Sequence, residues 1–176
     1  MHCSNVLGIM ERILKLSIPN TYVWLLCFYF YFHLWLNLLA EVTSFGDRIF
    51  YKDWWNARTI ESYWRNWNLP VHNWILRHLY FPVTRMGASR LVGTFIAFLF
   101  SALMHELVIS GSFGRVSMHA FVGMLGQAPL TFISTYLDRR FDNSFFGNAL
   151  FWLSFCVIGQ PMGVILYAYD GWKGAT

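Results

Sequence analysis

One uninterrupted apolar segment, residues 91–110, constrains most strongly what this chain can fold into. A helix of about twenty residues crosses the roughly 30 Å of hydrocarbon in a bilayer, and the segment has that length. His105 and Glu106 lie within it. An ionisable side chain in hydrocarbon costs about 2.5 kcal/mol or more, so such residues normally face a protein interior or a water-filled cavity. The segment therefore predicts a membrane-spanning helix that lines a functional site.

The composition extends this prediction to the whole chain. Of the 176 residues, 56% are hydrophobic and 12% are charged, which is about half the charged fraction of a soluble domain. No signal peptide pattern opens the sequence. The three cysteines, Cys3, Cys27 and Cys156, are odd in number and lack metal-ligand spacing, so neither a disulfide framework nor a metal site is expected. We expect an all-α integral membrane protein with no nucleic-acid partner.

Three further apolar segments predict spanning helices, which brings the expected total to four. They cover residues 18–41, 115–137 and 145–170, and Gly159-Gln160-Pro161 interrupts the last one. Tails are expected at 1–17 and 171–176, and a charged turn at 138–144. The architecture is thus four transmembrane helices separated by one long loop and two short turns.

The long loop, residues 42–90, combines basic and aromatic side chains, which is typical of a membrane interface. Short amphipathic helices are expected there over 59–66 and 71–80, bounded by Pro70 and Pro82. Nine of the thirteen Lys and Arg residues fall in this loop or in the turn at 138–144. Because cytoplasmic loops carry the excess of basic residues, the loop is predicted to be cytosolic and both ends luminal or external.

His105 is the first candidate for chemistry, because imidazole exchanges a proton near neutral pH. The alternative is that His105 and Glu106 bond a neighbouring helix and serve only packing. Glu106 is expected either to tune nearby polar groups or to be structural. A zinc-protease site is excluded, because the pattern His-Glu-x-x-His would need histidine where Ile109 stands.

Two motifs in the loop, together with His105, carry a family resemblance. The first motif is FYKDWWN, and the second, WNLPVHNW, covers residues 67–74. This order of motifs resembles the membrane-bound O-acyltransferase family, in the branch of sterol and diacylglycerol acyltransferases. Residues 126–130 (GQAPL) and 158–161 (IGQP) resemble the diacylglycerol side of that branch. The positions of the first motif are Phe50, Tyr51, Asp53, Trp54, Trp55 and Asn56.

The resemblance implies an acyl-CoA-dependent O-acyltransferase of the endoplasmic reticulum membrane that esterifies diacylglycerol to triacylglycerol. His105 is then the general base, and Asn68, which matches the family's loop asparagine, is the candidate to hold its ring. Acyl-CoA is a co-substrate and no cofactor is implied. Direct transfer without an acyl-enzyme is expected, because no Cys or Ser is adjacent to His105 in sequence. Membrane lipids and a second copy of the chain are further expected partners.

Substrate contacts follow from the same resemblance. The anionic nucleotide end of acyl-CoA is expected to meet the basic loop, with Arg65, Trp67, His72 and Arg90 as candidates. Gln127 and Gln160 are candidates to hydrogen-bond the acyl acceptor. The FYKDWWN motif is predicted to be either part of the site or a structural knot. The family's members are longer than this chain, which resembles their C-terminal part.

Three other functions stay open on the sequence alone. A sterol or long-chain alcohol can replace diacylglycerol as the acceptor. A transporter could relay protons through His105, Glu106 and His119, although this leaves the FYKDWWN motif unexplained. The third alternative is an inactive fragment that associates with other membrane helices.

Overall fold

The structure, a computed structural model, describes residues 2–141 and 144–173. Within these ranges the side chains of residues 2–6, 144, 146, 158, 160 and 173 are not described. The expected contact of Gln160, the centre of the charged turn at 142–143 and the last residues of the C-terminal tail therefore lie outside the described residues.

Every regular element in the described ranges is helical, which confirms the predicted all-α class. Three π-helical stretches join α1 to α2, α4 to α5 and α9 to α10; they cover Tyr29–Trp35, Leu76–Tyr80 and Ser154–Gly159. Trp54–Asn56 forms a short 3₁₀ turn. The α-helices are α1 His2–Phe28, α2 Leu36–Val42, α3 Ile60–Asn66, α4 Leu69–Ile75, α5 Phe81–Arg85, α6 Arg90–Phe113, α7 His119–Leu125, α8 Gln127–Phe141, α9 Ser144–Leu153 and α10 Gln160–Lys173.

Four helical segments are long and apolar enough to cross a membrane, as the sequence predicted. They are Leu7–Val42, Arg90–Phe113, His119–Phe141 and Gly147–Trp172. Between 11% and 22% of the residues in their most apolar windows are buried within the chain. Most of this apolar surface therefore faces outward, where lipid or further helices would cover it.

The first helix is longer than expected and includes most of the predicted tail. Together with the π-helical stretch and α2, it forms the span Leu7–Val42 of 36 residues, about 54 Å, which exceeds the roughly 30 Å of a bilayer core. Within the expected tail, Lys15 donates to Glu11 one turn earlier at 2.6 Å, a pairing that supports a helix. Pro19 lies inside α1, near the start of the predicted span at 18–41.

The loop folds into short helices whose starts the sequence explains. Thr59 and Ser62 cap the start of α3 by bonding each other's backbone N–H groups. Asn68 Oδ1 accepts from Val71 N at 3.1 Å and caps α4. The helix predicted over 71–80 does not end before Pro82. The π-helical stretch that follows α4 continues directly into α5, and Pro82 lies in the first turn of α5, where a proline is tolerated.

An aromatic core joins this loop to the first and last spans. Trp54, only 1% exposed, packs its ring against Trp24, Phe28 and Tyr63 at centroid distances of 5.0–6.0 Å. Phe151 of α9 packs on Tyr63 at 4.8 Å. Burial raises the pKa of Tyr63, so its hydroxyl is neutral. The core fixes the loop against α1 and α9.

Candidate active site

A cavity of about 720 Å³ lies between α3, α4 with its following π-helical stretch, α6, α7 and α8. One face of α6 forms a wall along much of its length, because residues 90, 94, 97, 98, 101 and 105 all line the cavity. Arg90 and His105 are fifteen positions apart, about 22 Å along the helix axis. The cavity is therefore long, with a cation near one end of this wall and the histidine near the other.

His105 has a defined tautomer in this cavity. Its Nδ1 lies 2.7 Å from the backbone carbonyl oxygen of Ser101 and 3.4 Å from the Ser101 hydroxyl. Because a carbonyl oxygen only accepts, Nδ1 carries the proton of the neutral ring and Nε2 carries the lone pair. No described residue forms a hydrogen bond with Nε2. Nε2 is thus available as a base to a bound molecule.

Ser101 is a site residue that sequence reasoning did not single out. It precedes His105 by four residues, so the two side chains share one helical face. Asn68, the expected partner of the ring, lines the same cavity, but its Oδ1 caps α4. In this structure the ring of His105 is held by Ser101 on its own helix.

Glu106 lies outside the lining of the cavity. It is 6% exposed, and its carboxylate accepts hydrogen bonds from the hydroxyls of Ser110 and Tyr167, at 2.7 and 3.0 Å, and from backbone N–H groups near the start of α7. These contacts hold helices together. The two adjacent ionisable residues, His105 and Glu106, therefore face different surroundings, since a helix turns about 100° per residue.

All four residues expected to meet acyl-CoA line the cavity: Arg65, Trp67, His72 and Arg90. Burial, and then the positive charge of Arg65, lower the pKa of His72, while the nearby Glu61 opposes this effect. His72 is therefore neutral at pH 7, and the positive charge at the cavity comes from arginine.

Arg139 is a third cavity-lining arginine, which the sequence had placed in a turn. Helix α8 continues to Phe141, so Thr131, Thr135 and Arg139 follow each other at four-residue spacing on one face. The four-residue spacing could have predicted that the helix continues to Arg139. The charged residues after Leu137 instead led to the prediction of a turn. Gln127, the expected acceptor contact at the start of α8, does not line the cavity.

None of the six named positions of the FYKDWWN motif lines the cavity. The Trp55 carbonyl oxygen accepts from Asn148 Nδ2 at 3.0 Å and from Trp152 Nε1 at 3.1 Å. The Tyr51 hydroxyl lies 2.9 Å from His33 Nδ1. Among the described residues, the motif therefore contacts the first spanning helix through His33 and the last through Asn148 and Trp152. These contacts give the motif a structural role that holds the two spans together.

Two ion and hydrogen-bond contacts fix the cavity wall formed by α8 against α3. Arg58 Nε donates to Asp138 Oδ1 at 3.0 Å, and Ile60 N donates to the buried Ser134 Oγ at 3.1 Å.

In the part of the chain that the structure describes, no group of three His, Cys, Asp or Glu side chains is close enough to hold a metal ion. The groups that line the cavity include the imidazole of His105, the hydroxyl of Ser101 and three guanidinium groups.

Comparison with known proteins matches this chain to one family over most of its length. The sequence profile of the membrane-bound O-acyltransferase family, MBOAT, matches residues 4–168. Diacylglycerol O-acyltransferase 1C of Glycine max is 55% identical over 166 residues, which are 94% of this chain and 32% of that protein. Diacylglycerol O-acyltransferase 1 of Arabidopsis thaliana is 53% identical over 166 residues, again 94% of this chain and 32% of the relative.

A more distant relative shows the same relationship. Diacylglycerol O-acyltransferase 1 of Dictyostelium discoideum is 47% identical over 163 residues, 93% of this chain and 26% of that protein. The chain thus spans about a third or less of the length of these curated relatives. The profile match and these identities agree, and the chain belongs to the membrane-bound O-acyltransferase family.

Proposed function

We propose that this chain forms the part of an acyl-CoA:diacylglycerol O-acyltransferase that holds the catalytic base and a CoA-binding rim, which consists of the cavity-lining residues Arg65, Arg90 and Arg139. The observation that carries the proposal is His105, whose Nε2 has no hydrogen-bond partner among the described residues and which lines the same long cavity as three arginines. The relatives named diacylglycerol O-acyltransferase 1 support diacylglycerol as the acceptor. An endoplasmic reticulum location belongs to the same proposal.

The reaction needs one base and one acid, and His105 supplies both in turn. Nε2 accepts the proton of the diacylglycerol hydroxyl while the hydroxyl oxygen attacks the thioester carbonyl carbon. The carbon–sulfur bond then breaks, and the imidazolium returns the proton to the CoA thiolate. Triacylglycerol and CoA are the products. Proton transfer of this kind contributes about 10²- to 10⁴-fold to a rate.

The position of the arginines matches the shape of acyl-CoA. CoA carries its phosphates at one end and its thioester at the other, so a cavity in which Arg90 lies about 22 Å along α6 from His105 accommodates both. Arg65, Arg90 and Arg139 come from three different helices, and Arg90 is also the first residue of α6, where the helix dipole favours an anion. We propose that these three residues hold the CoA phosphates.

The acyl acceptor is proposed to approach the cavity from the side of α7 and α8. Met124, Phe132 and Tyr136 give this wall an apolar surface suited to acyl chains, and Thr131 adds a hydroxyl. Gln127 and Gln160 stay candidates for acceptor contacts, and Gln127 lies outside the cavity lining. A homo-oligomer also stays a proposal.

A proton relay is less well supported by the geometry. His119 Nε2 lies 2.8 Å from Asp170 Oδ2. The Glu106 carboxylate accepts hydrogen bonds from Ser110 and Tyr167, and it would have to lose them in order to relay a proton. His105 faces the cavity instead. No continuous path through these three groups is present among the described residues.

The test is transfer from labelled acyl-CoA to diacylglycerol, a sterol or a long-chain alcohol. It is run in membranes that contain either this chain or the Glycine max relative with its matched segment replaced by this chain. We expect labelled triacylglycerol from the hybrid protein and a rate about 10²- to 10⁴-fold lower from its His105→Ala variant. A folded hybrid that esterifies no acceptor contradicts the proposal, and an exclusively sterol product moves the chain to the sterol enzymes.

A further inference from the structure

The proposed reaction leaves Glu106 without a role, although it is the most completely hydrogen-bonded side chain in the described part of the chain. Its two oxygens accept five hydrogen bonds, and the residue is 6% exposed. The donors are Ser110 Oγ at 2.7 Å, Ser117 N at 3.3 Å, Met118 N at 2.9 Å, Phe121 N at 3.1 Å and Tyr167 Oη at 3.0 Å.

Three of these donors are backbone N–H groups at the start of α7. The helix begins after Met118, whose backbone is left-handed with a φ of 60° and whose side chain has no oxygen to offer as a cap. Ala120 N donates instead to Tyr167 Oη at 3.0 Å. Glu106 of α6 and Tyr167 of α10 thus satisfy N–H groups that a local cap would satisfy in most helices.

The position of these groups along α6 explains why a carboxylate is needed. Glu106 precedes the end of α6 at Phe113 by seven residues, about 10 Å along the axis. The connection at 114–118 therefore folds back beside α6 before α7 begins. Irregular backbone at such a depth in a membrane is tolerated only where protein satisfies its polar groups, and Glu106 does so here.

This contact also joins the two walls of the candidate site. Helix α6 carries His105, while α7 and α8 carry Met124, Thr131 and Arg139 on the facing wall. We propose that Glu106 is a positioning residue that fixes the start of α7 against α6 and so sets the distance between His105 and the opposite wall. The inference rests on the proposed acyltransfer for its catalytic readout and on the hydrogen bonds alone for its structural readout.

The proposal separates Glu106 from proton transfer. If its carboxylate only positions, the residues that share its hydrogen bonds act on catalysis in the same direction, although they lie outside the cavity lining. Tyr167 and Ser110 are such residues. If the carboxylate takes part in the chemistry instead, removing the Tyr167 hydroxyl has little effect on the rate.

The catalytic test compares Glu106→Gln, Tyr167→Phe and Ser110→Ala with two matched controls, in the hybrid protein described above. Ser112→Ala removes a hydroxyl whose one partner among the described residues is the Val108 carbonyl of its own helix, and Tyr22→Phe removes an exposed hydroxyl. Activity is measured per mole of folded, monodisperse protein. We expect kcat to fall at least tenfold in Glu106→Gln and about threefold or more in Tyr167→Phe and Ser110→Ala, with KM for acyl-CoA within twofold of wild type.

The structural test is a double-mutant cycle on thermal unfolding of this chain in detergent, which needs no activity. We expect Glu106→Gln and Tyr167→Phe each to lower the Tm, and the double variant to lose less than the sum of the two. Unchanged Tm in both single variants, or a kcat loss in Glu106→Gln with Tyr167→Phe and Ser110→Ala fully active, overturns the proposal. If the unaltered hybrid lacks transferase activity while the double-mutant cycle shows coupling, the proposed function is wrong, but the role of Glu106 in fixing the start of α7 is supported.

Discussion

The Nδ1 atom of His105 lies 2.7 Å from the backbone carbonyl oxygen of Ser101, one turn earlier on the same helix. The ring is therefore oriented by the backbone of α6, and no second helix is needed to select its tautomer. The Ser101 hydroxyl is also near, at 3.4 Å from Nδ1. Because Nδ1 carries the proton, the lone pair on Nε2 supports direct transfer, and a substitution at Ser101 tests whether its hydroxyl takes any part.

For direct transfer, Ser101→Ala should leave most of the activity in place. The substitution removes the hydroxyl but keeps the carbonyl that holds the ring, so we expect kcat within about threefold of wild type. His105→Ala removes the base, and a loss of about 10²- to 10⁴-fold is expected. The measurement is acyl transfer in the hybrid protein. Equal losses in the two variants would show that Ser101 takes part in the chemistry.

Arg139→Gln should weaken the binding of acyl-CoA without changing the chemical step. A hydrogen bond to a charged group contributes about 1.5–3 kcal/mol, and solvent screening at the open rim reduces this, so we expect KM to rise about fivefold to tenfold. The neighbouring Arg140 does not line the cavity, and Arg140→Gln is the matched control. A KM that rises equally in both variants would mean that only the overall charge of the rim matters.

The membrane architecture could be predicted from the sequence because hydropathy and length are local properties. Apolar segments predicted all four spans, and His105 within one of them indicated the cavity. Asn68, Arg65, Trp67 and His72 lie in that same cavity because the loop helices fold back onto α6, but only the family resemblance suggested this proximity. Local pattern alone does not contain the distance between the loop and α6.

The features that the sequence did not predict depend on contacts between distant segments. Glu106 and Tyr167 are 61 residues apart, so nothing in the local pattern shows that they cap α7 together. Arg139 was assigned to a turn because a charged run usually ends an apolar span, yet α8 continues through it and Asp138 bonds Arg58 of the loop. In both cases, at Glu106 and at Asp138, the deciding hydrogen bond joins residues far apart in the sequence, so the local pattern does not show it.

His72 should make the stability of the fold depend on pH in one direction. Burial and the charge of Arg65 lower its pKa in the folded chain, so the unfolded chain takes up a proton first as the pH falls. The free energy of unfolding is then unaffected by His72 above the ordinary histidine pKa of about 6.5. It decreases as the pH falls from there through the lower pKa that His72 has in the folded chain.

The check for His72 is thermal unfolding in detergent between pH 5 and pH 8, for wild type and His72→Gln. We expect the wild type to lose more of its Tm at the acidic end than the variant does, with no difference in slope above pH 7.5. His78→Gln removes an exposed imidazole from the same helical run and controls for loss of a ring. Parallel pH profiles for wild type and His72→Gln would contradict the prediction.

Gly147→Ala should separate α9 from the segment after the FYKDWWN motif. A Cβ atom at this glycine would overlap the backbone carbonyl of Arg58, which cannot rotate aside as a flexible side chain would. Asn148, the next residue, donates to the carbonyl oxygens of Trp55 and Ala57, so moving α9 also strains these bonds. Overpacking of this kind costs about 1–3 kcal/mol.

The motif's structural role therefore predicts a clear contrast between two glycines of the same span. At Gly163 of α10 an added Cβ would meet no atom within 4 Å, so Gly163→Ala should be neutral or slightly stabilising because alanine favours a helix by up to about 1 kcal/mol. Thermal unfolding in detergent measures both variants. Gly147→Ala should lower the Tm and, because the aromatic core anchors the loop helices that line the cavity, also the activity of the hybrid protein. A Gly147→Ala variant as stable as Gly163→Ala would show that α9 can move away from Arg58 without loss of stability. It would also show that the motif does not hold the loop in place.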